Sequence, residues 1–192
     1  MKMIGGNTRQ GAAYIFTRSG TSWSQQTQII LADGAAYDWF GTAVTLSSDS
    51  NTALITANGH KVGQREMQGA GFIFVRSGSN WVQEAMLSAP ENTVSLWGDT
   101  ATLSPDGNLA LIEDGYTFER HGGTWTAGLR LLPEDNASGF GSSVALSGDG
   151  AIALIGANYA TIGQNHSQGA AYFFDLDLLR LTNRLFLPLV TR

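Results

Sequence analysis

The chain has 192 residues, enough to bury a core as one large domain or two small ones. Only 14% of the residues are charged, 43% are hydrophobic and the net charge is −5, so there is no electrostatic footprint for nucleic acid or an anionic membrane. The absence of cysteine excludes disulfides, thiol catalysis and cysteine-based zinc sites, and no apolar run reaches the roughly 18 residues that read as a membrane span.

Glycine, at 24 residues, stands well above its usual share of about 7%. Together with 10% aromatics and few charges, it points to an all-β chain of short strands and tight turns.

Met3-Ile4-Gly5-Gly6-Asn7 opens the chain and matches Leu154-Ile155-Gly156-Ala157-Asn158; both lead into a Gln-Gly-Ala-Ala-Tyr segment. The chain therefore starts inside a repeat. No basic and apolar leader is read here, so no signal peptide is expected, and the chain reads as the C-terminal piece of a longer repeat protein.

QGAAYIFTRSGTSW, from Gln10 to Trp23, follows and returns as QGAGFIFVRSGSNW from Gln68. A shortened copy runs from Gly115 to Trp125, and the opening returns once more from Gln168. Between these lies a second unit, which begins at Phe40-Gly41, Trp97-Gly98 and Phe140-Gly141, spaced 57 and 43 residues apart. The shorter spacing reflects a loop that is present after Ala57 and Ala157 and missing after Asp114. A period of about 50 residues is the mark of a duplicated architecture.

Within each period the pattern alternates with a repeat of two: Val44 and Leu46 share one face, and so do Val144 and Leu146. The turns SSDSN, SPDGN and SGDG follow, suited to tight hairpins, and then the short apolar strands ALIT, ALIE and ALIG. With the GAAYIF-type strand, the Arg-Ser-Gly turn and the tryptophan strand, each period holds four strands. The expected total is thirteen: three sets of four and a last strand over residues 171–175. A helical period is suggested only over residues 175–184.

These residues resemble the FG-GAP repeat family in its bacterial form, whose members are similar to the blades of the integrin alpha-subunit head. Phe40-Gly41 and Phe140-Gly141 carry the FG element, and Thr56-Ala57-Asn58 and Gly156-Ala157-Asn158 carry a degraded GAP element. The resemblance covers roughly residues 3–175. It implies a β-propeller of four-stranded antiparallel blades, here about three blades plus an extra strand, a partial propeller over residues 1–175 with a tail over 176–192. In this reading the glycine after Phe40 allows close backbone approach while the ring wedges between blades. Such an array needs completion, by missing N-terminal repeats first, by a homo-oligomer second, or else it stands as an open stack of three to four blades. The tail offers a closing strand over residues 184–187, while Pro188 argues against a long helix.

Some members of the family bind calcium through Asp-rich loops. The corresponding loops here hold a single acid, Glu66, and none, so no cofactor and no calcium is expected. Asp49, Asp106 and Asp149 recur in the tight turns and read as caps of their own turns. His60, His121 and His166 read as solvated loop residues; His60 and His166 lie out of register with each other, which argues against a metal pair. No Gly-x-Ser-x-Gly elbow, phosphate-binding loop or gathered carboxylate pair is present, so the chain is not read as an enzyme. Trp23, Trp81 and Trp125 recur in phase and are expected to pack between blades or over hairpins, with stacking on sugars as the alternative. Trp39 and Trp97 are expected in the core, and Tyr37 and Asp38 in a loop that could face a partner.

Propellers bind through loops held on a stiff scaffold. The candidate partner-binding residues are therefore Asn58, His60, Lys61, Arg65 and Glu66, with Asn158, Tyr159, Asn165 and His166 as their counterparts. The expected role is a non-enzymatic extracellular or cell-surface module that presents these loops to a protein or glycan. The alternatives are the propeller portion of a larger secreted enzyme, or a lectin-like module.

Overall fold

The computed structural model describes residues 6–89 and 96–178. Thirteen β-strands are found among them, all paired antiparallel where pairing within a sheet is defined. β1 (Ala13–Ser19) and β2 (Ser22–Ile29) form a two-stranded sheet. β3 (Val44–Leu46), β4 (Thr52–Ala57), β5 (Ala70–Ser77) and β6 (Asn80–Leu87) form a four-stranded sheet in chain order. β7 (Ala101–Leu103), β8 (Leu109–Ile112), β9 (Tyr116–His121) and β10 (Thr124–Arg130) repeat it. β11 (Phe140–Leu146), β12 (Ile152–Ala157) and β13 (Ala170–Asp175) make a three-stranded sheet. The number of strands is as expected, but the sheets are phased from the aromatic–Gly pair. The thirteen strands therefore divide as two, four, four and three, not as three sets of four and one over.

The fold is all-β, with β-propeller-type four-stranded antiparallel blades. Strand burial explains the ordering. β4 is buried along its whole length and β5 through Phe74, because both faces are covered, which suits their unbroken apolar runs. β6 and β10 are outer strands; six of the seven side chains of β10 are exposed and four of the eight of β6. The β1–β2 and β5–β6 pairs share a bulge at the same place, between Ile15 and Phe16 and between Ile73 and Phe74. One extra residue, Gln26 or Glu84, is accommodated there, and the added twist keeps the two copies alike.

Two compact units can be distinguished, one containing residues up to Val44 and Asn51–Asp99, the other Thr45–Ser50 and everything from Thr100. In the first, Ala13, Ile29 and Leu31 bury against Phe72, Phe74 and Phe40, and the Phe40 ring meets Phe72 and Phe74 edge-on at 5.8 and 6.0 Å. In the second, Leu109, Leu111 and Leu131 bury against Tyr172 and Phe174, with Phe140 edge-on to both at 5.6 and 6.1 Å. Each such ring contributes about 1.5–3 kcal/mol by leaving water.

The aromatic–Gly pair also explains the Gln-Gly-Ala motif. The Phe40 N–H donates to the Gln10 carbonyl (2.8 Å) and the Trp97 N–H to the Gln68 carbonyl (3.1 Å). A Cβ on Gly69, whose φ is +89°, would lie 2.0 Å from the Trp97 carbonyl oxygen. Only glycine permits that approach.

At the C-terminal end, residues 176–178 turn helical, and Asp175 Oδ1 caps the turn by accepting the Leu178 N–H at 2.9 Å. The expected closing strand over 184–187 lies outside the described residues.

Candidate functional site

The two long loops between the second and third strands of a sheet share one frame. In the first, the Val62 and Arg65 backbones exchange hydrogen bonds of 3.1 and 3.0 Å, and the Gly69 N–H donates to the His60 carbonyl at 2.9 Å. In the second, Ile162 and Asn165 exchange bonds of 3.1 and 3.0 Å, and the Gly169 N–H donates to the Ala160 carbonyl at 3.0 Å. The left-handed positions coincide as well: Gly63 and Gly163 at +61°, Met67 at +53° and Ser167 at +54°. The side chains at the tightest point repeat the pattern, since Arg65 Nη1 donates to Gln68 Oε1 and Asn165 Nδ2 to Gln168 Oε1. Each loop is a small hairpin on a fixed base.

The exposed tips differ. The first presents Lys61, Gln64, Glu66 and Met67, with Lys61 and Glu66 paired to each other in solvent. The second presents Asn158, Tyr159, Asn165 and His166, all exposed as expected. Arg65 is half-buried over the loop base, and so is Asn58, whose Oδ1 accepts from Thr42 Oγ1 and whose Nδ2 donates to Asp99.

Two expectations need correction. His60 is not solvated: it is 6% exposed, its Nδ1 lies 2.9 Å from Asp38 Oδ2, and its ring meets Phe72 edge-on at 5.1 Å. Asp38, expected in a partner-facing loop, is 2% exposed, and its Oδ2 also accepts the Ala35 N–H at 2.9 Å. Burial of both follows from their pairing, because an isolated buried carboxylate is costly. This pair ties the turn before Phe40 to the base of the long loop, as does the Gly59 N–H, which donates to the Asp38 carbonyl. Tyr37 is exposed, held edge-on to Trp39 with the Arg9 guanidinium 5.7 Å from its ring centre.

Trp23 departs from the packing expectation, being 66% exposed on β2. Its counterpart Trp81 is half-buried against the first core, with its indole N–H enclosed, and Trp125 is half-buried too. Trp97 is fully buried, as expected, while Trp39 is only partly so.

The turn aspartates serve their own turns. Ser47, Ser104 and Ser147 hydroxyls donate to Asp49, Asp106 and Asp149, and the same serine oxygens accept the Leu109 and Ile152 N–H groups at 2.9 Å in the last two turns. The Ser104 hydroxyl holds the Asp106 carboxyl below the usual carboxylate range, and Ser147 does the same for Asp149. In the second unit a cleft of about 370 Å³ opens beside these turns, lined by Ser104, Asp106, Asn108, Glu119, Arg120 and His121.

Among the described residues no group of three or more His, Asp or Glu side chains is arranged to hold a metal ion. In the first long loop Glu66 is engaged by Lys61, and Asn58 by Thr42 and Asp99.

A family model described as FG-GAP repeat matches residues 23–74 and 125–174. No curated protein sequence matches the chain. Among solved structures, the periplasmic gluconolactonase PpgL of Pseudomonas aeruginosa aligns with a TM-score of 0.52 and 12% identity, over 93% of this chain and 50% of its own. TolB of Acinetobacter baumannii aligns with a TM-score of 0.46 and 14% identity, over 85% of this chain and 35% of its own. The chain thus spans half the length of the first and about a third of the second.

Proposed function

The chain belongs to the FG-GAP repeat family, and on that premise we propose that it is a non-enzymatic binding module whose two long loops recognise a protein or glycan outside the cell. The observation that carries this reading is the shared loop frame with different tips. Backbone bonds and left-handed positions agree between the loops, yet Lys61, Glu66 and Met67 in one are replaced by Thr161, His166 and Ser167 in the other. A stiff base with freely varied exposed side chains is what recognition loops require, since side-chain changes there leave the scaffold intact. The family resemblance supports an extracellular or cell-surface setting.

The test is binding of the full chain to an immobilised glycan array and to a displayed peptide library. Paired variants Lys61→Ala/Glu66→Ala and Tyr159→Ala/His166→Ala are compared at unchanged circular dichroism. Loss of a specific interaction in either pair supports the reading; interactions that survive both pairs overturn it. A lectin-like reading is favoured by one observation, the exposed indole of Trp23. It predicts glycan binding that is lost in Trp23→Ala and retained in both loop pairs.

A further inference from the structure

Inside each unit one type of contact is made. A face built from aliphatic residues of one sheet covers the aromatic face of the next. In the first unit Ala13, Ile15 and Ile29 of the β1–β2 sheet, with Leu31 just after it, cover Phe72 and Phe74 of β5. In the second, Leu109 and Leu111 of β8, with Leu131, cover Tyr172 and Phe174 of β13. The buried aromatics are 1% and 4% exposed in the first case and 1% and 2% in the second.

Two faces of these same types have no cover among the described residues. Tyr14 and Phe16 occupy the positions of Phe72 and Phe74 in the repeat but are 44% and 52% exposed. β1 alternates regularly and Arg18 pairs across with Trp23, so Tyr14, Phe16 and Trp23 lie on one face. It is the aromatic face, uncovered. On the β11–β13 sheet the opposite type is bare: Phe173 and Ile152 are 45% and 43% exposed, with Leu154 paired across from Phe173. Phe173 occupies the position of Ile15, which in the first unit packs against the core.

We propose that these two faces are one heterologous interface between copies of this chain, with the Ile152, Leu154 and Phe173 face of β11–β13 of one copy seated on the aromatic face of β1–β2 of a second. The partner is a second copy because both halves of a contact already made once in each unit are uncovered among the described residues of the same chain. Charge agrees with the arrangement. Asp175 ends the bare face of β13 and Arg18 ends that of β1, at the same end of equivalent strands. Head-to-tail contacts of this kind close into a ring or extend as a filament.

Light scattering on the full chain over a concentration series is expected to give multiples of 20.4 kDa that dissociate on dilution. Phe16→Glu and Phe173→Glu each remove one half of the interface at an exposed position. Each should weaken association tenfold or more and give a monomer with an unchanged circular dichroism spectrum. An equimolar mixture of the two should then regain a two-chain species, since Phe16→Glu keeps its β11–β13 face and Phe173→Glu its β1–β2 face. Tyr14→Glu with Ile152→Glu gives the same reading should either first variant misfold. A wild-type chain that stays at 20.4 kDa throughout overturns the proposal, as do variants that associate normally or a mixture that stays monomeric. None of these outcomes bears on the loop reading, which uses different residues.

Discussion

Replacing His60 by alanine leaves the Asp38 carboxylate buried with one remaining described donor, the Ala35 N–H at 2.9 Å. Breaking one side of a buried pair costs about 3 kcal/mol or somewhat more, because the surviving charge stays out of water. Replacing Asp38 by serine strands the His60 ring nitrogen instead, at about 1–3 kcal/mol for an unsatisfied buried group. If the two act independently, the double variant should lose about 5 kcal/mol, the sum of these two costs. The third repeat argues against independence. Ser138 and Ala160 stand where Asp38 and His60 stand in the first, so acid and imidazole are present together or replaced together. The double variant Asp38→Ser/His60→Ala carries no stranded charge and should lose only about 2–3 kcal/mol, mainly for the space left by the ring beside Phe72. The coupling is then about 2–3 kcal/mol, within the range found for residues in contact. Urea unfolding followed by tryptophan fluorescence measures it, with four of the five tryptophans in the unit that holds the pair. Additive losses, to within about 0.5 kcal/mol at constant slope, would refute the argument that pairing is what allows Asp38 to be buried.

The Gly69→Ala change should cost about 3 kcal/mol or more, since the added Cβ meets the Trp97 backbone at 2.0 Å; Gly63→Ala, at +61° in open space, should cost only about 1–2. Thermal unfolding of the two variants side by side distinguishes close approach from backbone preference. Above pH 10 the fold should weaken through Tyr172, whose hydroxyl is pushed up to about 12 by burial and then by its hydrogen bonds to Asp135. The unfolded chain releases that proton first, so this contribution is complete below pH 10 and is lost as pH rises through 12; Tyr172→Phe should flatten the alkaline limb of a melting-temperature profile. On the acid side Asp106 and Asp149 stabilise above pH 3.8, and their contribution is lost as pH falls through their lowered values, so Ser104→Ala and Ser147→Ala should each reduce the acid sensitivity. Asp114 has the opposite sign: burial raises its carboxyl, so its charge costs stability at neutral pH. Asp114→Asn, at a φ of +60° that asparagine tolerates, should melt higher at pH 7 and match the wild type near pH 3.

How far the sequence reaches can be judged from single residues. The strand through Val44 and Leu46 was legible from alternation alone, although both side chains are exposed, and the ALI strands from their short apolar runs, because these signals lie within a few residues of the chain. The division of strands among sheets was not, since chain order leaves open whether the Gly-Ala-Ala strand begins a sheet or stands third in it. The ladders of β4 with β5 and of β12 with β13 decide that question across the long loops. His60 looked solvated for a similar reason. Its neighbours Lys61, Gln64 and Glu66 are polar and exposed, and its burial depends on an aspartate 22 positions earlier. Trp23 and Trp81 sit in almost identical segments yet differ in exposure, because exposure is set by what lies against the sheet and not by local pattern.

The base of the long loop shows why two repeats can look unlike and still fold alike. In the first repeat Gly59 lies beneath Trp39: a Cβ there would come within 2.0 Å of the Tyr37 carbonyl and 2.6 Å of the indole ring. In the third the sizes are exchanged, with Gly139 in the place of Trp39 and Tyr159 in the place of Gly59, and a Cβ on Gly139 would lie 3.0 Å from the Tyr159 ring. Together with Asp38/His60 against Ser138/Ala160, four positions change as two compensated pairs, one in volume and one in charge. Such exchanges are tolerated in packed interiors when volume and polar pairing are kept, whereas either half alone leaves a clash, a hole or a stranded charge. The main-chain frame above them is therefore preserved, with the reciprocal bonds of Val62 and Arg65 repeated by Ile162 and Asn165. The exposed tip residues Lys61, Glu66 and Met67 and their counterparts Thr161, His166 and Ser167 stand above this base, while Val62 stays packed against the first core. Substitutions at these tips change the exposed side chains and leave the base intact, whereas the turn aspartates are committed to their own turns.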